Sequence, residues 1–242
     1  MSVYVFSDLH GNYSLWEQIR DFMGPDDRAY CLGDCADRGP DGLRIMEEVY
    51  NDPRITYIRG NHEDMMLNAI RRPDSYSEEL RLWMWNGGEP TLLAWLDETE
   101  NTKWIRRIMD MPIYAQYINT SGNIIWMCHA GFGGGNHPED METQDLIWDR
   151  THIYEVKWYG AENEFVIHGH TPIQYLVSEM NERDRFFDNN PEEDWEYTPE
   201  AIYYCEDHKI DIDLGTYMSN QAILMDLDTA EEHVFSSDIS QE

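Results

Sequence analysis

The sequence is poor in positive charge: 17 Lys and Arg residues stand against 48 Asp and Glu residues in 242, which leaves a formal net charge of −31. A field of that sign repels nucleic-acid phosphates and anionic membranes, so we predict neither a nucleic acid nor a membrane as a partner. It would also repel a phosphorylated substrate, unless bound divalent metals and a few arginines concentrate positive charge at one site.

Cysteines and long apolar runs are scarce as well. The four cysteines, at 31, 35, 128 and 205, do not complete a zinc site, and we interpret them as reduced, buried thiols. No Lys or Arg precedes Arg20, and the apolar run near the start spans only four residues, which is not the pattern of a signal peptide. No apolar run reaches the length of a membrane span. Together these absences predict a cytoplasmic protein.

What the sequence does have is the composition of a globular chain, with 41% hydrophobic residues, 9 Trp, 15 Tyr and 7 Phe. We predict a single domain over residues 1–242. Segment 179–200 is rich in acids, Asn and Pro, and it is therefore predicted to be a surface loop insertion. The last residues, 236–242, are predicted to form a tail.

The order of hydrophobic runs predicts an α/β fold with parallel strand pairing in the first half, because strand-like and helix-like segments alternate there. A helix-rich block is predicted over 76–110, and the alternating segment 210–228 suggests a terminal hairpin. The strand-like runs lie at 3–6, 29–32, 55–58, 123–128 and 164–168, and the early helical stretches at 14–23, 42–50 and 63–71.

Each of the five strand-like runs is followed by Asp, Asn or His beside a glycine. The stretches are "SDLHG", "GDCADRG", "GNHE", "CHAG" and "HGHTP". The carboxyl ends of strands are where open α/β sheets build their sites. In extended backbone alternate side chains point to the same side, so Asp8 and His10 are expected to converge. Asp, His and Asn side chains suit Mn²⁺, Fe or Zn²⁺ better than Ca²⁺, so the pattern indicates a metal centre.

This ordered series of motifs resembles the phosphoprotein phosphatase family of the calcineurin-like metallophosphoesterases, and within it the bacterial and phage group typified by bacteriophage lambda phosphatase. The stretches "WNGG" (85–88), "LIWDR" (146–150) and "IDLGT" (212–216) also look like that group. The resemblance covers most of the chain. It implies an α/β sandwich of two mixed β-sheets flanked by helices, and a hydrolase that acts on phosphoesters.

The resemblance also implies a dinuclear metal centre, with Mn²⁺ expected and Fe or Zn²⁺ as alternatives. A hydroxide bound to the two metals would attack phosphorus directly in line. Six residues match ligand positions: Asp8, His10 and Asp34 for the first metal, and Asn61, His129 and His170, with Asp34 as the bridge, for the second.

Four further residues match positions that act on the substrate in the family. His62 resembles the general acid that protonates the leaving alkoxide, and Asp37 would orient it. Arg38 and Arg150 would clamp the phosphate oxygens as planar forks. Arg59 lies close by, but we expect it to make a structural ion pair.

The resemblance leaves more than one function open. The leading interpretation is a metal-dependent phosphomonoesterase of the Ser/Thr protein phosphatase type, acting on a phosphorylated protein or peptide or on a small phosphoester. Relatives with this fold that hydrolyse dinucleoside tetraphosphates symmetrically have A-R-G where this chain has Asp37, Arg38 and Gly39, and Asp where it has Glu63. The sequence therefore favours the phosphatase. A less favoured interpretation is an inactive metal-binding scaffold whose acidic surface binds a partner protein.

Overall fold

The computed structural model describes residues 1–71, 77–179 and 197–238. Within these ranges the strands are β1 (Val3–Phe6), β2 (Arg28–Cys31), β3 (Ile55–Tyr57), β4 (Tyr114–Ile118), β5 (Ile124–Cys128), β6 (Glu164–His168), β7 (Ile202–Tyr204), β8 (Lys209–Asp211), β9 (Gln221–Asp226) and β10 (Glu232–Ser236). The α-helices there are α1 (Tyr13–Phe22), α2 (Gly42–Asn51), α3 (Asn61–Arg71), α4 (Glu78–Trp85), α5 (Glu89–Asp97), α6 (Lys103–Asp110), α7 (Thr143–Trp148), α8 (173–179) and α9 (Thr216–Ser219). Short 3-10 helices cover Pro138–Asp140 and Thr151–Tyr154.

The described strands form two mixed sheets of five strands each. The first sheet has the order β10-β9-β1-β2-β3, and the second has the order β4-β5-β6-β8-β7. In the first sheet β1, β2 and β3 are parallel, and in the second β5, β6 and β8 are parallel. The predicted α/β fold of two mixed β-sheets flanked by helices is therefore confirmed, and so is the parallel pairing in the first half of the chain.

The central strand β1 shows how one short apolar run serves two cores. Its four residues are all buried, because β2 and β9 flank it in the sheet and a hydrophobic core packs against each face. Successive side chains of a strand point to opposite faces. Val3 and Val5 accordingly belong to the core that includes the second sheet, whereas Tyr4 and Phe6 belong to the core under the helices. The ring of Phe6 lies 6.0 Å from that of Trp16 in α1.

The helix-rich block predicted over 76–110 is confirmed by α4, α5 and α6. The hydroxyl of Ser77 accepts a hydrogen bond from the N–H of Leu80 at 3.0 Å, which caps the start of α4. Each of the three helices buries one tryptophan, Trp83, Trp95 and Trp104 respectively. These three tryptophans are therefore packing groups, as their spacing predicts, whereas Trp85 of α4 is 91% exposed and departs from that prediction.

The terminal hairpin predicted within 210–228 is wrong. The first part of this segment ends β8 in the second sheet, whereas its last part forms β9 in the first sheet. The short helix α9 separates them, and the residues that flank it, Gly215 and Asn220, both have left-handed backbone, with φ of 64° and 55°. These two turns carry the chain from one sheet to the other. The hairpin that does form pairs β9 with β10.

The tail predicted over 236–242 is wrong at its start. Ser236 is the last residue of β10, and Ser237 is buried. The N–H of Ser237 donates to the carbonyl of Asn220 at 2.9 Å, and its hydroxyl accepts from Asn12 at 2.8 Å. Residues 239–242 lie outside the described residues. So does most of the predicted surface loop, since the description stops at 179, in α8, and resumes at 197.

The cysteines and the lengths of the helices test two predictions made from composition. All four cysteines are buried and form no disulfide, which agrees with buried thiols. Among the helices of the described ranges, none is long and apolar enough to cross a membrane. The single-domain organisation over 1–242 stays a prediction.

Candidate active site

The polar residues that follow the strand-like runs meet at one edge of the two sheets. They lie at the carboxyl ends of β1, β2 and β3 in the first sheet, and of β5 and β6 in the second. The loops are tied to one another through their backbones: the N–H of His10 donates to the carbonyl of Asp34 at 2.9 Å, and that of Gly169 to His129 at 2.9 Å. Parallel strands place their carboxyl ends side by side, which is why five separate motifs form one site.

Backbone conformation in these loops is unusual. Six residues of the site have positive φ although none is glycine: Asp8 (55°), His10 (42°), Asp34 (55°), Asp37 (69°), Arg38 (65°) and His170 (69°). This left-handed region is sterically unfavourable for residues with a Cβ atom, and such strain concentrates at functional sites. Our reason for expecting Asp8 and His10 to converge was therefore wrong. They meet in a left-handed loop after β1, and not on extended backbone.

Asp34 lies at the centre of the site. Its Oδ2 is 3.3 Å from Nε2 of His129 and 3.8 Å from Nε2 of both His10 and His62. Two groups of buried side chains could each hold a metal ion: His10, Asp34 and His62, and Asp34, His129 and His170. Asp34 belongs to both groups, which is the geometry that a bridging carboxylate requires. The structure also brings His62 into the first group, where the resemblance has Asp8.

Unpartnered buried atoms show that this donor set fits metal ions. Among the described residues, Oδ1 of Asp8 and Nε2 of His170 are buried without a hydrogen-bond partner. A buried polar atom without a partner is costly, and a metal ion would satisfy both atoms. The other oxygen of Asp8 accepts from the hydroxyl of Ser7 and, at 3.1 Å, from the N–H of His170, so Oδ1 is left for a metal. Imidazole nitrogen and carboxylate oxygen suit Mn²⁺, Fe or Zn²⁺.

Asn61 joins the second group. It is the first residue of α3, and its Oδ1 accepts from Nε2 of His129 at 2.8 Å and from Nδ1 of His170 at 3.0 Å. Nδ1 of His129 faces the carbonyl of Leu32 at 2.7 Å, which fixes the ring. The structure thus gathers all six residues that match ligand positions, although it does not by itself assign a ligand role to any of them.

The charges of the cluster shift its pKa values in opposite directions. Burial alone would raise the pKa of Asp34 and lower that of His129, but their mutual attraction outweighs burial. The pKa of Asp34 falls well below its ordinary value, and that of His129 rises to about 10. Burial, assisted by the positive charges of Arg38 and His129 respectively, holds the pKa of His10 and of His170 well below the ordinary value. These two imidazoles are therefore neutral, which is the form that binds metal.

His62 and Asp37 form a buried pair beside the cluster. Nδ1 of His62 lies 2.7 Å from Oδ2 of Asp37, and both side chains are almost fully buried. The N–H of His62 donates to Oδ1 of Asp34 at 3.0 Å, so the backbone of this residue is fixed as well. Nε2 of His62 faces the cluster, where it accepts from the guanidinium of Arg38 at 3.2 Å. If a bound anion draws the guanidinium of Arg38 to itself, Nε2 can carry a proton and deliver it to that anion.

Both predicted phosphate-binding arginines reach the cluster, each in a different way. The guanidinium of Arg38 lies 2.9 Å from Nε2 of His10 and 3.2 Å from Nε2 of His62. Arg150 is exposed, and it donates to the hydroxyl of Thr171 at 3.1 Å and to the carbonyl of His170 at 3.0 Å.

Arg59 stands apart from these two arginines. Its Nε lies 3.8 Å from Oδ1 of Asp64, which is the structural ion pair that we expected. Both side chains are mostly buried, and Asp64 also accepts from Asn68 at 3.0 Å. Arg59 therefore pairs with a residue in the first turn of α3.

Glu63 is a residue of the site that sequence reasoning missed. Its carboxylate accepts from the N–H groups of Asp34, Cys35 and Ala36 at 2.8, 3.0 and 3.2 Å, and from the hydroxyl of Tyr57 at 2.8 Å. It therefore fixes the loop that carries Asp34. Its place in "GNHE" was visible in the sequence, but the loop that it binds lies almost thirty positions earlier.

Comparison with known proteins adds to this geometry. A model of the family described as calcineurin-like phosphoesterase matches residues 1–213. The chain is 23% identical over 184 residues to serine/threonine-protein phosphatase 1 of Salmonella typhimurium, which covers 74% of this chain and 82% of that protein. It is 26% identical over 200 residues to the symmetrical bis(5'-nucleosyl)-tetraphosphatase of Buchnera aphidicola subsp. Schizaphis graminum, which covers 78% and 61% respectively.

A solved structure extends the comparison to the fold. A protein provisionally called a diadenosine tetraphosphatase superposes with a TM-score of 0.63 at 14% identity, covering 98% of this chain and 94% of that one. At that identity the likeness shows the fold alone. The family model, in contrast, spans most of the chain and includes all the motifs that form the site. The protein therefore belongs to the calcineurin-like phosphoesterase family and is a hydrolase.

Proposed function

We propose that the protein is a metal-dependent phosphomonoesterase of the Ser/Thr protein phosphatase type. The observation that carries the proposal is the buried pair of His62 and Asp37, 2.7 Å apart, beside the cluster around Asp34. A proton donor held by a carboxylate next to a metal centre is what the departure of an alkoxide requires, because an alkoxide is too basic to leave without a proton.

In this proposal the ligands are Asp8, His10, Asp34, Asn61, His129 and His170. Two divalent metals bound there, with Mn²⁺ expected, would supply an activated water and neutralise the charge that develops on the phosphoryl oxygens. Asp34 belongs to both groups of candidate ligands, so it would help to hold both ions. Glu63 keeps the loop of Asp34 in place, and Leu32 orients the ring of His129.

The remaining groups of the chain act on the phosphate and on the proton. Arg38 and Arg150 present planar forks of N–H donors to the phosphoryl oxygens. The guanidinium of Arg38 rests 4.2 Å from the ring centre of Tyr217, which holds it at the mouth of the site. His62 protonates the leaving oxygen through Nε2, and Asp37 on Nδ1 stabilises the imidazolium form and keeps the ring oriented.

A second candidate function is symmetrical hydrolysis of dinucleoside tetraphosphates. The observation that favours it is the 26% identity over 78% of this chain to a relative with that name. The departing group of such a substrate is a nucleotide phosphate, which is less basic than an alkoxide and has less need of a proton donor. The pair of His62 and Asp37 is therefore the feature that separates the two candidates.

The test compares substrates on one preparation. The protein is stripped of metal by a chelator, reloaded with Mn²⁺ and assayed on a phosphoserine peptide, on diadenosine tetraphosphate and on para-nitrophenyl phosphate. We expect activity only after reloading, with the phosphopeptide preferred over the dinucleotide in kcat/KM. A preference for the dinucleotide would establish the second candidate. A reloaded protein that turns over none of the three would support the inactive scaffold.

A further inference from the structure

The motif "WNGG" (85–88) has no role in the proposed mechanism, yet it contacts the turn that carries Asp37 and Arg38. We call residues 83–91, where α4 ends and α5 begins, the α4–α5 junction. Three of its groups contact the turn of Asp37 and Arg38. The indole N–H of Trp83 donates to Oδ2 of Asp37 at 2.8 Å, the N–H of Asp37 donates to the hydroxyl of Thr91 at 2.9 Å, and the N–H of Arg38 donates to the carbonyl of Gly87 at 2.9 Å.

The two glycines of the motif allow this close approach. Gly87 has φ of 93°, a conformation that residues with a Cβ atom rarely adopt. A Cβ atom at Gly88 would lie 2.5 Å from Nε1 of Trp83, the atom that donates to Asp37. Trp83 is fully buried and Thr91 is 1% exposed, so neither group has water as an alternative partner. The two glycines therefore let the α4–α5 junction come close enough to make these hydrogen bonds.

Asp37 depends on these contacts more than an ordinary carboxylate does. Its Oδ2 accepts from both His62 and Trp83, whereas Oδ1 is buried with no hydrogen-bond partner among the described residues. Its backbone and that of Arg38 are left-handed, with φ of 69° and 65°. A strained turn persists only when surrounding contacts hold it. Without the indole N–H, the carboxylate would be free to rotate away from His62.

We propose that the α4–α5 junction positions the proton donor of this site, with Trp83 and Thr91 as positioning residues that act through Asp37 on His62. The inference rests on the proposed function, in which His62 protonates the leaving oxygen. Neither residue touches the substrate. Loss of either contact should therefore slow most those reactions in which the leaving group needs a proton, while metal binding and phosphate binding persist.

The test uses the full-length, Mn²⁺-loaded protein with Trp83→Phe and Thr91→Val. We expect kcat on a phosphoserine peptide to fall about tenfold, a part of the ~10²–10⁴-fold that a general acid contributes. On para-nitrophenyl phosphate, whose leaving group hardly needs a proton, kcat should fall less than about threefold. KM should change little on both substrates.

Two variants serve as matched controls. Thr91→Ser keeps the hydroxyl and should restore the activity that Thr91→Val loses. Trp95→Phe removes an indole N–H of the neighbouring helix, which donates to the carbonyl of Asn101 at 2.9 Å, and it should leave the ratio of the two substrates unchanged.

Equal losses on both substrates would show that Trp83 and Thr91 act only on folding, and would overturn the inference. If Trp83→Phe fails to fold, the pair Thr91→Val and Thr91→Ser decides alone, because each changes only a few atoms. A wild-type protein that turns over neither substrate would instead overturn the proposed function, and the inference with it. The two failures are therefore distinguishable.

Discussion

Asp34 is the side chain on which both candidate metal groups depend, so its charge should matter most at the level of single residues. We predict that Asp34→Asn loses bound metal and nearly all activity, because an amide cannot neutralise two cations. Elemental analysis of the purified variant, together with turnover of para-nitrophenyl phosphate, measures both effects. Asp64→Asn is the control, since Asp64 pairs with Arg59 and belongs to neither group. A variant at 34 that keeps two metals and full activity would contradict the bridging role.

His62 should matter in proportion to how much its proton is needed. We predict that His62→Asn lowers kcat far more on a phosphoserine peptide than on para-nitrophenyl phosphate, by about tenfold or more in the ratio of the two. Asp37→Asn should move the ratio in the same direction by a smaller amount, because the imidazole remains. Steady-state kinetics on the Mn²⁺-loaded variants decide the matter. An unchanged ratio would mean that His62 acts through charge or position alone.

At the residue scale, the sequence revealed side chains that belong to contiguous motifs. His10, Asn61 and His170 could be named because each stands beside a glycine within a few residues of a strand end. Trp83 and Glu63 could not be assigned roles, since their partners lie far away in the chain and are met only through the fold. Hydrogen bonds to a distant loop leave no periodic or compositional signal at either end.

Among the secondary-structure elements, α2 and α6 are joined by an ion-pair network that titrates in acid. Glu47 of α2 lies 2.6 Å from Arg107 and 2.8 Å from Lys103 of α6. Burial alone would raise the pKa of Glu47, but hydrogen bonds from Arg107 and Lys103 lower it from 4.5 to about 2. Because the pKa is lower in the folded state, the stabilisation is full above the unfolded value and is lost as the pH falls through the folded one.

We therefore predict that Glu47→Gln lowers the free energy of unfolding at about pH 7 by no more than ~1 kcal/mol, since the carboxylate is partly exposed and screened. The difference from wild type should shrink between about pH 4.5 and pH 2. Urea unfolding over this range measures it. Glu139→Gln removes the same charge from an exposed site and reports the general relief of negative repulsion. Equal effects of the two variants at every pH would show that the network contributes nothing.

Element positions in the first half were predictable because their signals are local. The run at 3–6 coincides with β1, and the stretch at 42–50 with most of α2, since period and composition are read within each segment. The segment 210–228 misled because alternation identifies a strand without identifying the sheet that it joins. The left-handed turns at Gly215 and Asn220 direct the chain to the other sheet, and an alternating pattern does not reveal such turns.

For the whole molecule, the net charge of −31 is the dominant physical property, and segment 180–196 adds seven acids to it. This segment lies outside the described residues, so the prediction rests on the sequence alone. Replacing it with a short flexible linker should leave folding and hydrolysis of para-nitrophenyl phosphate largely intact. Its negative charge favours basic over acidic phosphopeptides, so its removal should weaken that preference.

The measurement is the ratio of kcat/KM for the two peptides at low and high ionic strength, because salt screens charges of this kind. A full-length variant with the seven acids changed to amides separates charge from bulk. An unchanged ratio at low salt would mean that the segment has no part in selecting the substrate. The predicted cytoplasmic location is independent of this result, and cell fractionation tests it.

The left-handed backbone of six site residues also lowers the stability of the folded chain. Each such residue costs about 1 kcal/mol or more of strain energy. The six together therefore cost an amount comparable with the free energy of unfolding of a typical domain, ~5–15 kcal/mol. Glycine at any of these positions would relieve the strain, but it would also remove the side chain that the site presents there. A protein that only displayed an acidic surface would have no use for those side chains. Six strained residues therefore fit a site that acts on a bound group better than a surface that only displays charge.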